Sequence, residues 1–292
     1  MHADELEIGE ELVRRLLDTQ FPRWRNQQLV RVPRWGTDNA MYRLGDDLVV
    51  RLPRRAAGGG LAKELIWLPR LAPRLPLPVS EPVAVGEPAH GYPCRWAVYR
   101  WLEGAPALGA ADVDHDRLAV DLAGFVRALQ AIELPDEDVP GTRGEPLERQ
   151  DASVRAWIAQ LVGEVDTAAV TAAWERALAA PVWDGPPVWL HGDLMPTNLI
   201  LRDGRLNGVV DWGTCTTGDP ACEALLAWMT LDARSRPAYR ALLGLDDATW
   251  ARARGWALAC AVGALAYYRE TYPEFAELGR RTLAAVLTND LE

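Results

Sequence analysis

The sequence predicts an α+β chain in two parts, a small antiparallel sheet followed by a larger, mostly helical region. Three observations predict it. Short β-prone runs at 29–32, 40–44, 48–52, 84–87 and 95–99 are separated by turn residues such as Gly45-Asp46-Asp47. From Asp114 onward apolar residues recur instead at helical spacing, as in Leu118, Leu122, Phe125, Val126, Leu129 and Ile132. Within the helical part, one strand–turn–strand stretch interrupts the pattern between Val188 and Val210. The boundary falls after Leu102, dividing the chain into 1–102 and 103–292.

Each element has its own reason. Leu6, Ile8, Leu12, Val13, Leu16 and Leu17 lie near helical spacing, and Pro22 stops that helix. Gly36, Thr37, Asp38 and Asn39 turn the chain between the first two strands. The third strand carries Val49-Val50-Arg51-Leu52-Pro53, and the glycine-rich link 54–60 leads to a helix bearing Glu64. A proline-punctuated passage at 75–82 is extended, and Tyr99-Arg100-Trp101-Leu102-Glu103-Gly104 ends the sheet. A helix at 114–134 is followed by a polar loop at 135–150 containing Thr142-Arg143-Gly144. Further helices are expected at 154–165, 170–178, 221–231, 249–269 and 275–287.

Composition narrows the function. Lys plus Arg number 31 against 41 Asp plus Glu, a formal charge of −10, which argues against a nucleic-acid partner because phosphate backbones need a basic footprint. The same balance suits a cationic small molecule drawn to an acidic cleft. Cys94, Cys215, Cys222 and Cys260 show no C-x-x-C spacing, so reduced thiols in a cytoplasmic protein are expected. The acidic, amphipathic start is wrong for a signal peptide, and no run of about eighteen apolar residues is present to cross a membrane.

The chemistry is concentrated in 188–213. A short apolar run ends in His191-Gly192-Asp193, Asn198 follows five residues after Asp193, and Asp203-Gly204 turns a hairpin whose return ends at Asp211-Trp212-Gly213. A hairpin brings its ends together, so Asn198 and Asp211 should face one space with Asp193 on the adjoining loop. Two carboxylates and an amide oxygen are hard donors suited to Mg²⁺, which takes few protein ligands and completes its shell with water and substrate phosphates. The order Asp, Asn, then Asp-aromatic-Gly matches the catalytic and metal loops of phosphoryl-transfer enzymes.

His191-Gly192-Asp193-Leu194 through Asn198, with Val210-Asp211-Trp212-Gly213 and Gly218-Asp219-Pro220, resembles the aminoglycoside phosphotransferase family. The resemblance implies a two-lobed, protein-kinase-like fold and Mg²⁺-dependent transfer of the terminal phosphoryl of ATP or GTP to a small-molecule hydroxyl. It implies Asp193 as the catalytic carboxylate and Asn198 and Asp211 as metal ligands. Arg51, where such folds usually place lysine, would steady the phosphates with Glu64 as its partner. Gly36, Thr37, Asp38 and Asn39 would lie over the phosphates, although a plain hairpin turn reads similarly. The backbone of Tyr99, Trp101 and Leu102 would meet the purine.

For the acceptor, Glu223, Trp228, Tyr267, Glu270 and Glu274 combine aromatic faces and carboxylates that suit an amino sugar, although core aromatics and surface glutamates are the commoner explanation for such residues. An aminoglycoside-type antibiotic is the leading substrate, which would make the chain a resistance enzyme. The signature is shared by kinases of macrolides, amino sugars and amino alcohols. A non-catalytic nucleotide-binding module competes because of Arg51, and a protein kinase is disfavoured because 214–218 leaves little platform for a peptide. A monomer or weak dimer is expected.

Overall fold

The computed structural model describes residues 6–32, 38–55, 60–110 and 113–288. The chain divides into two compact units. The first comprises Met1–Pro73, Leu77–Glu103 and Asn207–Gly213; the second comprises Arg74–Pro76, Gly104–Leu206 and Thr214–Glu292. The main division thus follows Glu103. The segment Asn207–Gly213, expected in the second part, clusters with the first.

In the first unit α1 (Glu10–Gln20) precedes β1 (Leu29–Arg31), β2 (Asn39–Leu44), β3 (Leu48–Pro53), α2 (Gly60–Leu71), β4 (Pro82–Gly86) and β5 (Trp96–Arg100). The strands form an antiparallel sheet in the order β1-β2-β3-β5-β4. Strand alternation assigns its two faces. Tyr42, Leu44, Val50, Leu52, Trp96 and Val98 pack with Val13, Leu16 and Leu17 of α1. The buried Tyr42 hydroxyl donates to the Ile8 carbonyl at 2.8 Å, holding the approach to α1 against the sheet. The opposite face carries Val49, Ala97 and Tyr99. Register pairs Val49 with Tyr99 and Arg51 with Ala97, so Arg51 shares that second face.

The second unit begins with the two-residue β6 (Ala105–Pro106), which pairs with β8 (Leu199–Arg202). Between them come α3 (His115–Gln130), α4 (Asp151–Gln160), α5 (Thr167–Leu178) and β7 (Val188–Leu190). Asp114 and Asp166 cap α3 and α5 through the amides of Arg117 and Ala169. Asp203 and Gly204, both at positive φ, turn the chain into β9 (Arg205–Val209), within which the division between units falls.

β10 (Thr216–Gly218) pairs with β7, and α6 (Ala221–Ala224), α7 (Leu226–Met229) and α8 (Arg236–Leu243) follow. The single helix expected at 221–231 is therefore broken at Leu225 into two short ones. α9 (Asp247–Tyr268) is buried on nearly all sides and packs against α10 (Pro273–Thr288), α6, α5 and α4. Its Arg252 forms a buried pair with Asp219, Nε to Oδ2 at 2.6 Å, and also donates to the Pro181 carbonyl at 2.7 Å.

Candidate active site

In the first unit a charged network stands on the second face of the sheet. Glu64 lies on α2 with no exposed surface. A buried carboxylate needs donors, and Glu64 has three. Its Oε1 accepts from Arg51 Nη1 at 2.9 Å and from the Trp212 amide at 3.1 Å, while its Oε2 accepts from the Tyr99 hydroxyl. Arg51 is the hub: its Nη2 donates to Asp211 Oδ1 at 2.9 Å, and its guanidinium carbon stands 4.9 Å from the centre of the Tyr99 ring. Burial opposes the Arg51 charge, but Glu64 and then Asp211 outweigh it and hold its pKa well above the ordinary range. Burial likewise pushes the Tyr99 hydroxyl well up, with Arg51 opposing, so it stays a donor.

Asp211 adopts φ +64, a left-handed conformation uncommon outside glycine, and its side chain is 44% exposed. The next segment passes close to the start of α2: a Cβ at Gly213 would meet the Gly60 Cα at 2.7 Å. Only paired glycines permit that approach.

The second unit holds Asp193 on the loop after β7. The Asn198 amide nitrogen donates to the Asp193 carbonyl at 2.8 Å and to its Oδ2 at 3.0 Å. That leaves the Asn198 carbonyl oxygen as its donor atom toward a cation. Buried His191 accepts from the Asp193 amide at its Nδ1 (3.2 Å) and so braces the loop. Gly192, at φ +80, is held tightly; a Cβ there would lie 2.6 Å from the Thr214 carbonyl oxygen.

Two residues in this unit were not expected around the loop. Glu223 on α6 is 1% exposed and accepts from the Gly192 amide at 2.9 Å, while its other oxygen has no hydrogen-bond partner. Burial raises its pKa from 4.5 to about 7; the Gly192 amide and Arg143 oppose, and Asp193 reinforces. Arg143 brings Nη2 to 3.8 Å from Asp193 Oδ1 and Nη1 to 4.0 Å from the Cys260 sulfur. A carboxylate within the apolar run Ala221–Met229 is the sequence signal for a buried role at Glu223. Arg143, in a polar loop, had none.

The structure corrects the expectations for Glu223, Trp228, Tyr99 and Trp101 and leaves those for the other residues open to test. Glu223 is beneath the Asp193 loop, and Trp228 is 3% exposed with its ring 4.4 Å from that of Trp250, so burial removes both from an acceptor surface. Tyr267 is 53% exposed and meets Tyr268 edge-to-face; Glu270 and Glu274 are also exposed. Tyr99 lies in β5, flanked by β3 and β4, and engages the charged network through its side chain instead of offering its backbone at an open edge. The Trp101 amide donates to the Asp47 carbonyl at 2.8 Å and is therefore committed within the sheet. Leu102 is half-buried beside Gly208. Gly36 and Thr37 lie outside the described residues. Asp38 is exposed and ion-paired with Arg55 at 3.2 Å, and the Asn39 carbonyl accepts from Arg54.

Among the described residues no group of three or more Asp, Glu, His or Cys is assembled as a metal cage. Mg²⁺ does not require one, because it is usually held by one or two protein oxygens together with substrate phosphates. Taken separately, the Asp211 carboxylate in the first unit and the Asn198 amide oxygen in the second are each oxygen donors of the kind Mg²⁺ takes. All four cysteines are free thiols, and no described helix is long and apolar enough to cross a membrane.

Among curated proteins none matches the chain. Solved structures do. A mutant of aminoglycoside 2'-phosphotransferase-IIIa in complex with GDP superposes with a TM-score of 0.76 at 22% identity, over 97% of this chain and 99% of that one. A 2″-aminoglycoside phosphotransferase bound to GDP and kanamycin gives 0.74 at 22% identity, covering 95% and 99%. The macrolide 2'-phosphotransferase MphH from Brachybacterium faecium gives 0.63 at 22% identity, covering 94% and 98%. These likenesses show the fold, an α+β kinase-like architecture with an antiparallel-sheet N-terminal region and a helical C-terminal part. The model of the phosphotransferase enzyme family matches residues 29–256, and the chain belongs to that family.

Proposed function

We propose that the protein transfers the terminal phosphoryl of ATP or GTP to a hydroxyl of a small molecule, with an aminoglycoside-type antibiotic as the leading acceptor. The observation that carries this reading is the Asp193 loop. A half-buried carboxylate is oriented by the Asn198 amide and faced by Arg143, with His191 and Glu223 bracing its backbone. Such a carboxylate can orient the attacking hydroxyl and take its proton as the oxygen–phosphorus bond forms and the bond to the nucleoside diphosphate breaks.

Arg51, held by Glu64, presents a guanidinium suited to phosphate oxygens. Asn198 and Asp211 would hold Mg²⁺, which when bound neutralises phosphate charge. Residues 36–39 are proposed to cover the phosphates, and the backbone at Leu102 to adjoin the purine. Tyr267, Glu270 and Glu274 are candidates for a cationic acceptor. The similar structures with GDP, ADP, kanamycin and gentamicin support nucleotide and aminoglycoside chemistry. The macrolide enzyme among them keeps other hydroxylated antibiotics as the second reading. A cytoplasmic monomer or weak dimer, acting in antibiotic resistance, completes the proposal.

The test is nucleotide consumption with Mg²⁺ against aminoglycosides, macrolides, amino sugars and amino alcohols. Turnover with one class identifies the acceptor. Nucleotide binding with no turnover on any of them favours a non-catalytic module, and absence of nucleotide binding defeats the proposal.

A further inference from the structure

The Tyr99 side chain has none of the roles assigned above, yet it is 2% exposed and makes two specific contacts within the charged network. Its hydroxyl is the donor to Glu64 Oε2, while Arg51 and the Trp212 amide both use Oε1. Its ring lies against the Arg51 guanidinium, centroid to Cζ 4.9 Å. The two contacts act on the same object. The hydroxyl fixes the rotation of the Glu64 carboxylate, which fixes Nη1 of Arg51; the ring face fixes the plane of the guanidinium, from which Nη2 reaches Asp211 at 2.9 Å.

A planar fork needs such a seat, because its bonds are directional and its flat face packs on an aromatic ring. A lysine ammonium, a compact point charge with rotatable donors, needs neither a plane nor a stacking surface. Removing the hydroxyl would leave one oxygen of a fully buried carboxylate without a donor, free to turn away from Arg51.

We propose that Tyr99 is a positioning residue for Arg51, its hydroxyl orienting Glu64 and its ring seating the guanidinium, so that arginine serves at this strand position. The inference rests on the reading above that Arg51 contacts nucleotide phosphates.

The test measures binding of a nucleoside triphosphate with Mg²⁺, and of the matching nucleoside alone, by calorimetry. Wild type, Tyr99→Phe, Arg51→Lys and the double variant are compared. Tyr99→Phe should weaken triphosphate binding about tenfold and leave nucleoside binding within about twofold, since only the phosphate end meets Arg51. Arg51→Lys should show the same split, and the double variant should lose clearly less than the two losses combined, because both act through one seat.

A general structural role for Tyr99 would weaken both ligands together or lower only the melting temperature, and either result overturns the inference. So does Tyr99→Phe binding triphosphate as wild type does. Should Tyr99→Phe fail to fold, Arg51→Lys decides: wild-type triphosphate affinity in that variant overturns the inference, and a loss confined to the triphosphate supports it. A wild-type protein that binds neither ligand defeats the underlying nucleotide reading instead, a distinct outcome.

Discussion

Replacing Glu223 by glutamine keeps the shape of the side chain and the acceptor for the Gly192 amide while removing a proton that titrates. In the folded protein burial raises the Glu223 pKa from 4.5 to about 7. At about 1.4 kcal/mol per pKa unit, that difference amounts to about 3.5 kcal/mol of preference for the neutral form.

The sign follows from proton binding. Between those two pKa values the folded state holds a proton that the unfolded state has released, so raising the pH destabilises the fold. The contribution is full below about pH 4.5, is lost as pH rises toward 7, and changes little above that. From pH 5 to pH 8 the wild type should lose about 2.5 kcal/mol through this group alone. The groups facing it, Asp193, Arg143, Cys222 and Tyr239, are retained in both proteins, so the difference between variant and wild type isolates Glu223.

The assay is urea denaturation of both proteins at pH 5, 6, 7 and 8. Glu223→Gln should gain on wild type by about 2.5 kcal/mol across that range. Parallel stability curves would refute the reasoning, because they would mean that Glu223 ionises beneath the loop at no cost.

The other perturbations are simpler. Asp211→Ala removes a proposed metal ligand and a partner of Arg51. It should weaken Mg²⁺-dependent triphosphate binding by at least about tenfold in calorimetry while Mg²⁺-independent nucleoside binding is kept. Arg252→Ala leaves Asp219 buried without its ion-pair partner and should cost about 3–5 kcal/mol in chemical denaturation. Gly192→Ala places a methyl group 2.6 Å from the Thr214 carbonyl at a φ of +80. It should lower stability by about 1–3 kcal/mol and depress turnover through Asp193.

Local signals were legible where residues close in sequence act together. Asp193 and Asn198 are five residues apart on one loop, and the amide of one meets the carboxylate of the other. The Asp203-Gly204 turn could be read from residue type because both positions need positive φ. Arg51 and Glu64 were legible as a strand and helix pair.

What escaped depends on tertiary partners. Ala105–Pro106 is a strand only because it pairs with β8, and Thr216–Gly218 only because it pairs with β7. The break at Leu225 falls within an unbroken apolar run and has no residue-type signal. The helix Arg236–Leu243 did have a signal, Pro237 in its first turn and Gly244 left-handed at its end, but it is short and lies between stronger patterns. Glu223 was read as a candidate for the acceptor; its apolar neighbours signal burial, but nothing in the sequence says that the Gly192 amide lies above it.

The most direct test of the central claim compares wild type with Asp193→Ala, using Mg²⁺, ATP or GTP, and the acceptor panel, with mass spectrometry of the products. Wild type should yield an acceptor heavier by one phosphoryl group. Asp193→Ala should lose that product by about 10²-fold or more while still binding nucleotide. Undiminished product from Asp193→Ala would contradict the account, as would a wild-type protein that binds no nucleotide.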